Sequence, residues 1–136
     1  IAGVPVGGLI LATALGLEKG QSTIYVRKNI NSNVEDVQQI EGSYLPGQTV
    51  LIIDDLTTGG HSIKNCVDTL RYNGLYVKNA ITLIDRAEGS EKLLQSHGIK
   101  MHSILNLETI AVYLKETQKV TSKEYDQLKD YIEKSK

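Results

Sequence analysis

Val50-Leu51-Ile52-Ile53-Asp54-Asp55-Leu56-Thr57-Thr58-Gly59-Gly60-His61-Ser62-Ile63 is the most informative stretch of this sequence. Its aliphatic run reads as a buried strand that ends in two adjacent carboxylates. A loop of threonine, glycine, histidine and serine follows and passes straight into a helical pattern. In open α/β sheets, ligands bind beyond the carboxyl ends of the strands. The glycines let backbone N–H groups converge, and the opening of the helix adds positive potential. The hydroxyls of Thr58 and Ser62 donate further hydrogen bonds, so the stretch has the makings of a phosphate cradle. A side chain at Gly60 is expected to block the close approach of backbone to ligand. No lysine lies inside the stretch and the G-x-x-x-x-G-K-[ST] spacing is absent, so an NTPase P-loop is not indicated. Adjacent carboxylates repel unless something donates to them, and a sugar diol or the waters of a magnesium ion would do so. The plainer alternative is a strand-end turn whose glycines only close a loop. The ordered succession of strand, acids, loop and helix makes that the weaker reading. A phosphoacceptor receiver domain carries its paired acids near its start, and too little chain follows Asp55 here for that.

Outward from this stretch, short apolar runs alternate with helical patterns. Ile1 to Val4, Thr23 to Val26, Ala80 to Ile84 and Met101 to Leu105 are further strand candidates. Gly8 to Leu17 is apolar all round, as expected of a helix buried on both sides. Ser62 to Asn73 sets Ile63, Cys66, Val67 and Leu70 on one helical face. Ser90 to His97 and Leu107 to Lys115 read as two more helices. A C-terminal helix over 122–134 aligns Tyr125, Leu128 and Ile132, and Thr121 to Glu124 has the spacing of a capping box. This rhythm predicts a central parallel sheet covered on both faces, within a single domain over residues 1–136. Asn29 to Gln39, polar and Asn-rich, reads as a mobile loop.

Composition narrows the function. The chain has 136 residues, 40% of them hydrophobic and 23% charged, which suits one globular domain with a real core. Its net charge of -1 provides no basic field for nucleic acid or an anionic membrane surface. A single cysteine, Cys66, makes no internal disulfide and fits a reducing, cytoplasmic setting. The longest apolar stretch, Val6 to Leu17, is too short to span a bilayer, and no basic segment precedes it. His97 and His102 read as structural, and Cys66 as core. The chain opens on Ile1 in mid-strand, where a charged amine is expected to lie in the core, and so reads as lacking an N-terminal part.

The residues Leu51 to Ser62 resemble the phosphoribosyl-diphosphate (PRPP) signature of type I phosphoribosyltransferases, and their neighbours narrow the resemblance to the orotate phosphoribosyltransferases. Ile1-Ala2-Gly3-Val4-Pro5-Val6-Gly7-Gly8 is similar to that family's pyrophosphate-binding loop. Tyr25-Val26-Arg27-Lys28 resembles the strand entering its catalytic loop, and Ile40-Glu41-Gly42 the strand returning from it. Leu83-Ile84-Asp85-Arg86-Ala87-Glu88-Gly89 resembles the segment whose arginine meets orotate. His97-Gly98-Ile99 and His102-Ser103-Ile104 match the closing strand region, so the likeness covers nearly the whole chain in family order.

The resemblance implies a type I phosphoribosyltransferase (Rossmann-like) fold with a loop or hairpin projecting near Asn29 to Glu41. It implies transfer of the phosphoribosyl group of PRPP to orotate with Mg²⁺, giving orotidine 5′-phosphate and pyrophosphate in pyrimidine synthesis, by a homodimer. Asp54 and Asp55 would hold the ribose hydroxyls and magnesium waters, with no direct protein ligand to the metal. Thr58, Gly59, Gly60, His61 and Ser62 would cradle the 5′-phosphate. Arg27 and Lys28, with Pro5 and Val6, would meet the diphosphate, and Arg86 the pyrimidine. The sequence departs from the family at Asn31, where the loop carries lysine, and Glu35 and Asp36 follow. That departure keeps open a second reading, a catalytically weak PRPP- or nucleotide-sensing regulatory relative.

Overall fold

The computed structural model of the chain describes residues 1–27 and 40–135. A six-stranded sheet is built from β1 (Ala2–Gly3), β2 (Ile24–Val26), β3 (Ile40–Glu41), β4 (Thr49–Thr57), β5 (Tyr76–Asp85) and β6 (Lys100–Asn106). Helices α1 (Gly7–Lys19), α2 (His61–Tyr72), α3 (Ser90–Ser96), α4 (Leu107–Glu116) and α5 (Ser122–Lys134) connect or follow the strands. The strand order is β3-β2-β1-β4-β5-β6, and every neighbouring pair is parallel except β2 with β3. The expected parallel sheet is present, and β4 lies in its interior.

The chain moves outward from β1 to β2 on one side and from β4 to β5 on the other. Right-handed crossovers then set α1 and α2 on opposite faces of the sheet. The predicted apolar face of α2 is the core: Ile63, Val67 and Leu70 are fully buried and Cys66 nearly so, against Val50 and Ile52 of β4, Val77 and Ala80 of β5, and Leu94 of α3. The central strands run beyond their apolar runs, because each polar end residue still has a neighbouring strand to pair with. Thus Asp54 pairs with Thr82 and Thr57 with Asp85. Tyr25 and Val26 pair antiparallel with Glu41 and Ile40, so the chain that leaves on β2 returns alongside it on β3. Of the expected projecting loop or hairpin near Asn29 to Glu41, only Ile40 and Glu41 are described; Lys28, Asn31 and the others of residues 28–39 lie outside the described residues.

Two sequence expectations need correction. Helix α1 is not buried on both sides: its buried residues are Gly8, Ala12 and Gly16, whereas Ile10 is 67% and Leu17 81% exposed. A stripe of small residues at four-residue intervals lets the helix backbone sink onto the sheet, which turns the larger aliphatic side chains outward. The Ile1 amine is not stranded in the core either. It donates to the Ser22 carbonyl at 3.0 Å, and partial desolvation lowers its pKa.

The predicted capping box is formed at α5. The Glu124 amide donates to Thr121 Oγ1 at 3.3 Å, and the Thr121 amide donates to Glu124 Oε2 at 2.8 Å. These bonds from the Thr121 backbone and hydroxyl favour the carboxylate, so Glu124 titrates below its ordinary 4.5. A depressed acid stabilises the fold above its unfolded pKa and loses that contribution as pH falls through its folded value. Hydrogen exchange in the first turn of α5 should therefore quicken below pH 4.5. In Glu124→Gln it should be insensitive to pH after correction for intrinsic rates; persistent pH dependence would assign the effect elsewhere.

Among the described residues no helix is long and apolar enough to cross a membrane.

Candidate active site

Strands β1 and β4 lie side by side, and their onward connections leave in opposite directions. This is the topological switch point, where an open α/β sheet leaves a crevice beyond its strand ends. The Pro5 to Gly8 turn and the paired acids Asp54 and Asp55 meet there. Gly3 is level with Ile53, and the Val4 amide donates to the Ile53 carbonyl at 2.9 Å, so the turn at Pro5 and Val6 opens beside Asp54. The Pro5–Val6 peptide is cis, and Val6 is largely exposed.

Helix α1 starts at once and presses its first turn on the two acids. A Cβ added at Gly8 would fall 2.8 Å from the Asp54 Cα and closer still to the Ile53 carbonyl oxygen. A Cβ at Gly7 would fall 2.8 Å from Asp55 Oδ1, with the rest of that carboxylate nearer. Only residues without side chains let the helix backbone approach the acids this closely. The sequence reading treats Asp54 and Asp55 as a mutually repelling pair; the structure gives them different surroundings. Asp54 is 5% exposed and its Oδ1 accepts from the Asp55 amide at 3.0 Å, while Asp55 is exposed beside Gly7.

Cys66 of α2 is also buried at this end of the core. Burial, and secondarily the charge of Asp54, pushes its thiol up to about 12. It stays protonated and is a packing residue rather than a nucleophile, as expected from its place on the apolar face.

Beyond β4, Thr58 and Gly59 are half-buried, Gly60 caps α2, and His61 and Ser62 are exposed on its first turn. The first intrahelical bond is that of the Lys64 amide to the Gly60 carbonyl at 2.9 Å, so the amides before it have no partner within the helix, an arrangement that suits an anion. Gly60 is required for a reason the sequence reading misplaced. Its φ is +79°, and an added Cβ would meet the Ser90 backbone and Leu94 Cγ at 3.3 Å, on α3 rather than toward a ligand. Gly60→Ala should therefore lower stability by about 1–2 kcal/mol through left-handed strain. Urea unfolding checks this; an unchanged midpoint would show that the turn relaxes freely.

The Arg86 amide donates to the Thr57 carbonyl at 3.0 Å, which fixes Arg86 beside the start of the Thr58 to Ser62 loop. Its Nη2 pairs with Glu88 Oε1 at 2.9 Å and donates to the Tyr131 hydroxyl, which in turn donates to Glu88 Oε1 at 2.5 Å. Arg27, on the other flank, pairs with Glu41 Oε1 at 2.7 Å. His97 Nδ1 lies 2.8 Å from the Leu93 carbonyl, in keeping with its structural reading. Sequence reasoning missed Tyr131 altogether. It lies off the Tyr125, Leu128 and Ile132 stripe, and nothing local marks a residue 45 positions from Arg86. Glu88, two residues from Arg86, was open to inspection as a candidate partner.

No group of three or more His, Cys, Asp or Glu able to hold a metal occurs among the described residues. The two acids instead suit a hydrated ion that a phosphate ligand carries in.

A mostly parallel α/β sheet, with glycine-seated helix N-termini and paired acids at its switch point, has the architecture of the doubly wound α/β class. Residues 1–117 match the phosphoribosyl transferase domain model, and the chain belongs to that family. It is 30% identical over 135 residues to the uridine 5′-monophosphate synthase of Bos taurus, covering 99% of this chain and 28% of that protein. A structure of orotate phosphoribosyltransferase from Aeropyrum pernix is similar at TM-score 0.73 and 35% identity, covering 84% of this chain and 62% of that one. The Mycobacterium tuberculosis H37Rv orotate phosphoribosyltransferase in complex with PRPP superimposes at TM-score 0.67 and 30% identity, covering 79% of this chain and 62% of that one. The chain spans 52% to 66% of the length of curated orotate phosphoribosyltransferases similar to it.

Proposed function

We infer that the full-length protein transfers the phosphoribosyl group of PRPP to orotate, giving orotidine 5′-phosphate and pyrophosphate. The observation that carries this reading is the placement of three features at the carboxyl end of the sheet. They are the α1 N-terminus seated on Asp54 and Asp55, the Thr58 to Ser62 turn, and Arg86 one strand away. The relatives named orotate phosphoribosyltransferase and uridine 5′-monophosphate synthase support it.

In this reading the amides of the α2 start, with Thr58 and Ser62, take the 5′-phosphate. Amides of the Pro5 to Gly8 turn, with Arg27 and Lys28, take the diphosphate. Asp54 and Asp55 accept from the ribose hydroxyls, and Arg86 receives the acidic pyrimidine. As the bond from the anomeric carbon to the diphosphate breaks, positive charge develops on the ribose. Fixed carboxylates beside the ring and cations on the departing diphosphate both stabilise that separation, with a preorganisation water lacks. Mg²⁺, met through its waters by Asp54 and Asp55, would supply neutralising charge to the diphosphate. Residues 1–136 form a single phosphoribosyltransferase domain ending in the helix over 122–134. The protein acts in the cytoplasm on small molecules, as a homodimer.

The test is a steady-state assay of the full-length protein with PRPP, Mg²⁺ and orotate, following pyrophosphate release. Turnover that requires orotate supports the transferase. PRPP binding without turnover would instead support the regulatory reading, which the neutral Asn31 in place of the loop lysine favours.

A further inference from the structure

The family match ends at residue 117, yet α5, which begins at Ser122, reaches back to the site. The link is a closed triangle of side chains. Arg86 Nη2 contacts both Glu88 Oε1, at 2.9 Å, and the Tyr131 hydroxyl, and that hydroxyl completes the ring by donating to Glu88. The guanidinium also lies 5.7 Å from the Tyr131 ring centroid, within the range of cation–π attraction. Tyr131 is itself held in place, because its neighbour Ile132 is 3% exposed. One phenol therefore accepts from a cation and donates to an anion.

An arginine at the end of a long side chain loses rotamer entropy whenever a ligand orders it. Here backbone, carboxylate and phenol each fix part of Arg86, which lowers that cost. We propose that Tyr131 of α5, acting with Glu88, is a positioning residue for Arg86, holding its guanidinium toward the acidic pyrimidine base. The proposal rests on the reading that Arg86 meets that base, and it extends the working site beyond the residues that match the family model into the C-terminal helix.

The test uses the full-length protein and compares two ligands that share a phosphate but differ in the base. Orotidine 5′-phosphate and ribose 5-phosphate are titrated calorimetrically into the parent, Arg86→Ala, Tyr131→Phe and Glu88→Gln. Tyr131→Phe keeps the ring and removes the hydroxyl. It should weaken orotidine 5′-phosphate binding about three- to tenfold, the worth of one hydrogen bond. Ribose 5-phosphate binding should not change. In turnover, the KM for orotate should rise while kcat and the KM for PRPP hold. Glu88→Gln retains an acceptor oxygen and should lose less than Tyr131→Phe. If Tyr131→Phe binds orotidine 5′-phosphate as well as the parent or more tightly, while Arg86→Ala weakens it, the positioning role is overturned and the role of Arg86 stands. Equal losses for both ligands would mark general disorder of the site and also overturn the proposal. If Arg86→Ala leaves orotidine 5′-phosphate binding intact, or the parent shows none beyond its affinity for ribose 5-phosphate, the underlying reading of Arg86 fails and the proposal with it.

Discussion

Asn31→Lys in the full-length protein should raise the rate of phosphoribosyl transfer by about 10²–10³-fold, the typical worth of one positioned transition-state contact. The diphosphate leaves with growing negative charge, and a neutral amide offsets none of it. Glu35 and Asp36, close by in sequence, add charge of the wrong sign. An ammonium at position 31 restores the cation that the family's loop carries. The effect should appear in kcat and in kcat/KM together, because the charge develops only as the bond breaks. Parent and variant are compared in the same pyrophosphate-release assay. A variant no faster than its parent would show that position 31 does not reach the diphosphate.

The second large effect belongs to the seat of α1. Gly8→Ala should cost about 3 kcal/mol or more, beyond ordinary overpacking, since the new Cβ meets backbone rather than side chain. The Ile53 carbonyl and the Asp54 Cα belong to an interior strand and cannot step aside. The helix must lift, and its amides leave the acids with it, so PRPP affinity should be lost as well. Gly7→Ala is the informative contrast. The atoms nearest its Cβ would all belong to the Asp55 carboxylate, which swings about its own side-chain torsions. That variant should retain most of its stability and lose affinity for PRPP. Urea unfolding and calorimetric titration of both variants separate the cases. Equal stability losses would mean that Asp55 is as rigidly held as the strand behind it.

Much of this molecule is legible without coordinates, for reasons that are local. Val50 to Ile63 contains its strand, its acids, its turn and its helix start within a few residues, so near-neighbour rules suffice to read it. The α2 face of Ile63, Cys66, Val67 and Leu70 follows from the helical period, and the Thr121 to Glu124 cap from a fixed spacing. Helix α1 misleads because hydrophobicity says which residues prefer to leave water, not how near a neighbour stands. Small residues at 8, 12 and 16 decide its buried face, and their meaning depends on a sheet formed by distant chain.

From residue pattern alone come the α/β class, the order of motifs, the candidate cradle and the family resemblance. All of these rest on short-range periodicity and on residue types whose chemistry travels with them. Tertiary contact decided the rest. It set Asp54 in the core and Asp55 at the surface, turned Gly60 toward Ser90 and Leu94, and tied Arg86 to a tyrosine 45 residues away. Such facts depend on which strand lies beside which. That ordering emerges only when the whole apolar surface is buried at once, because no single segment holds enough of it to choose its own neighbours.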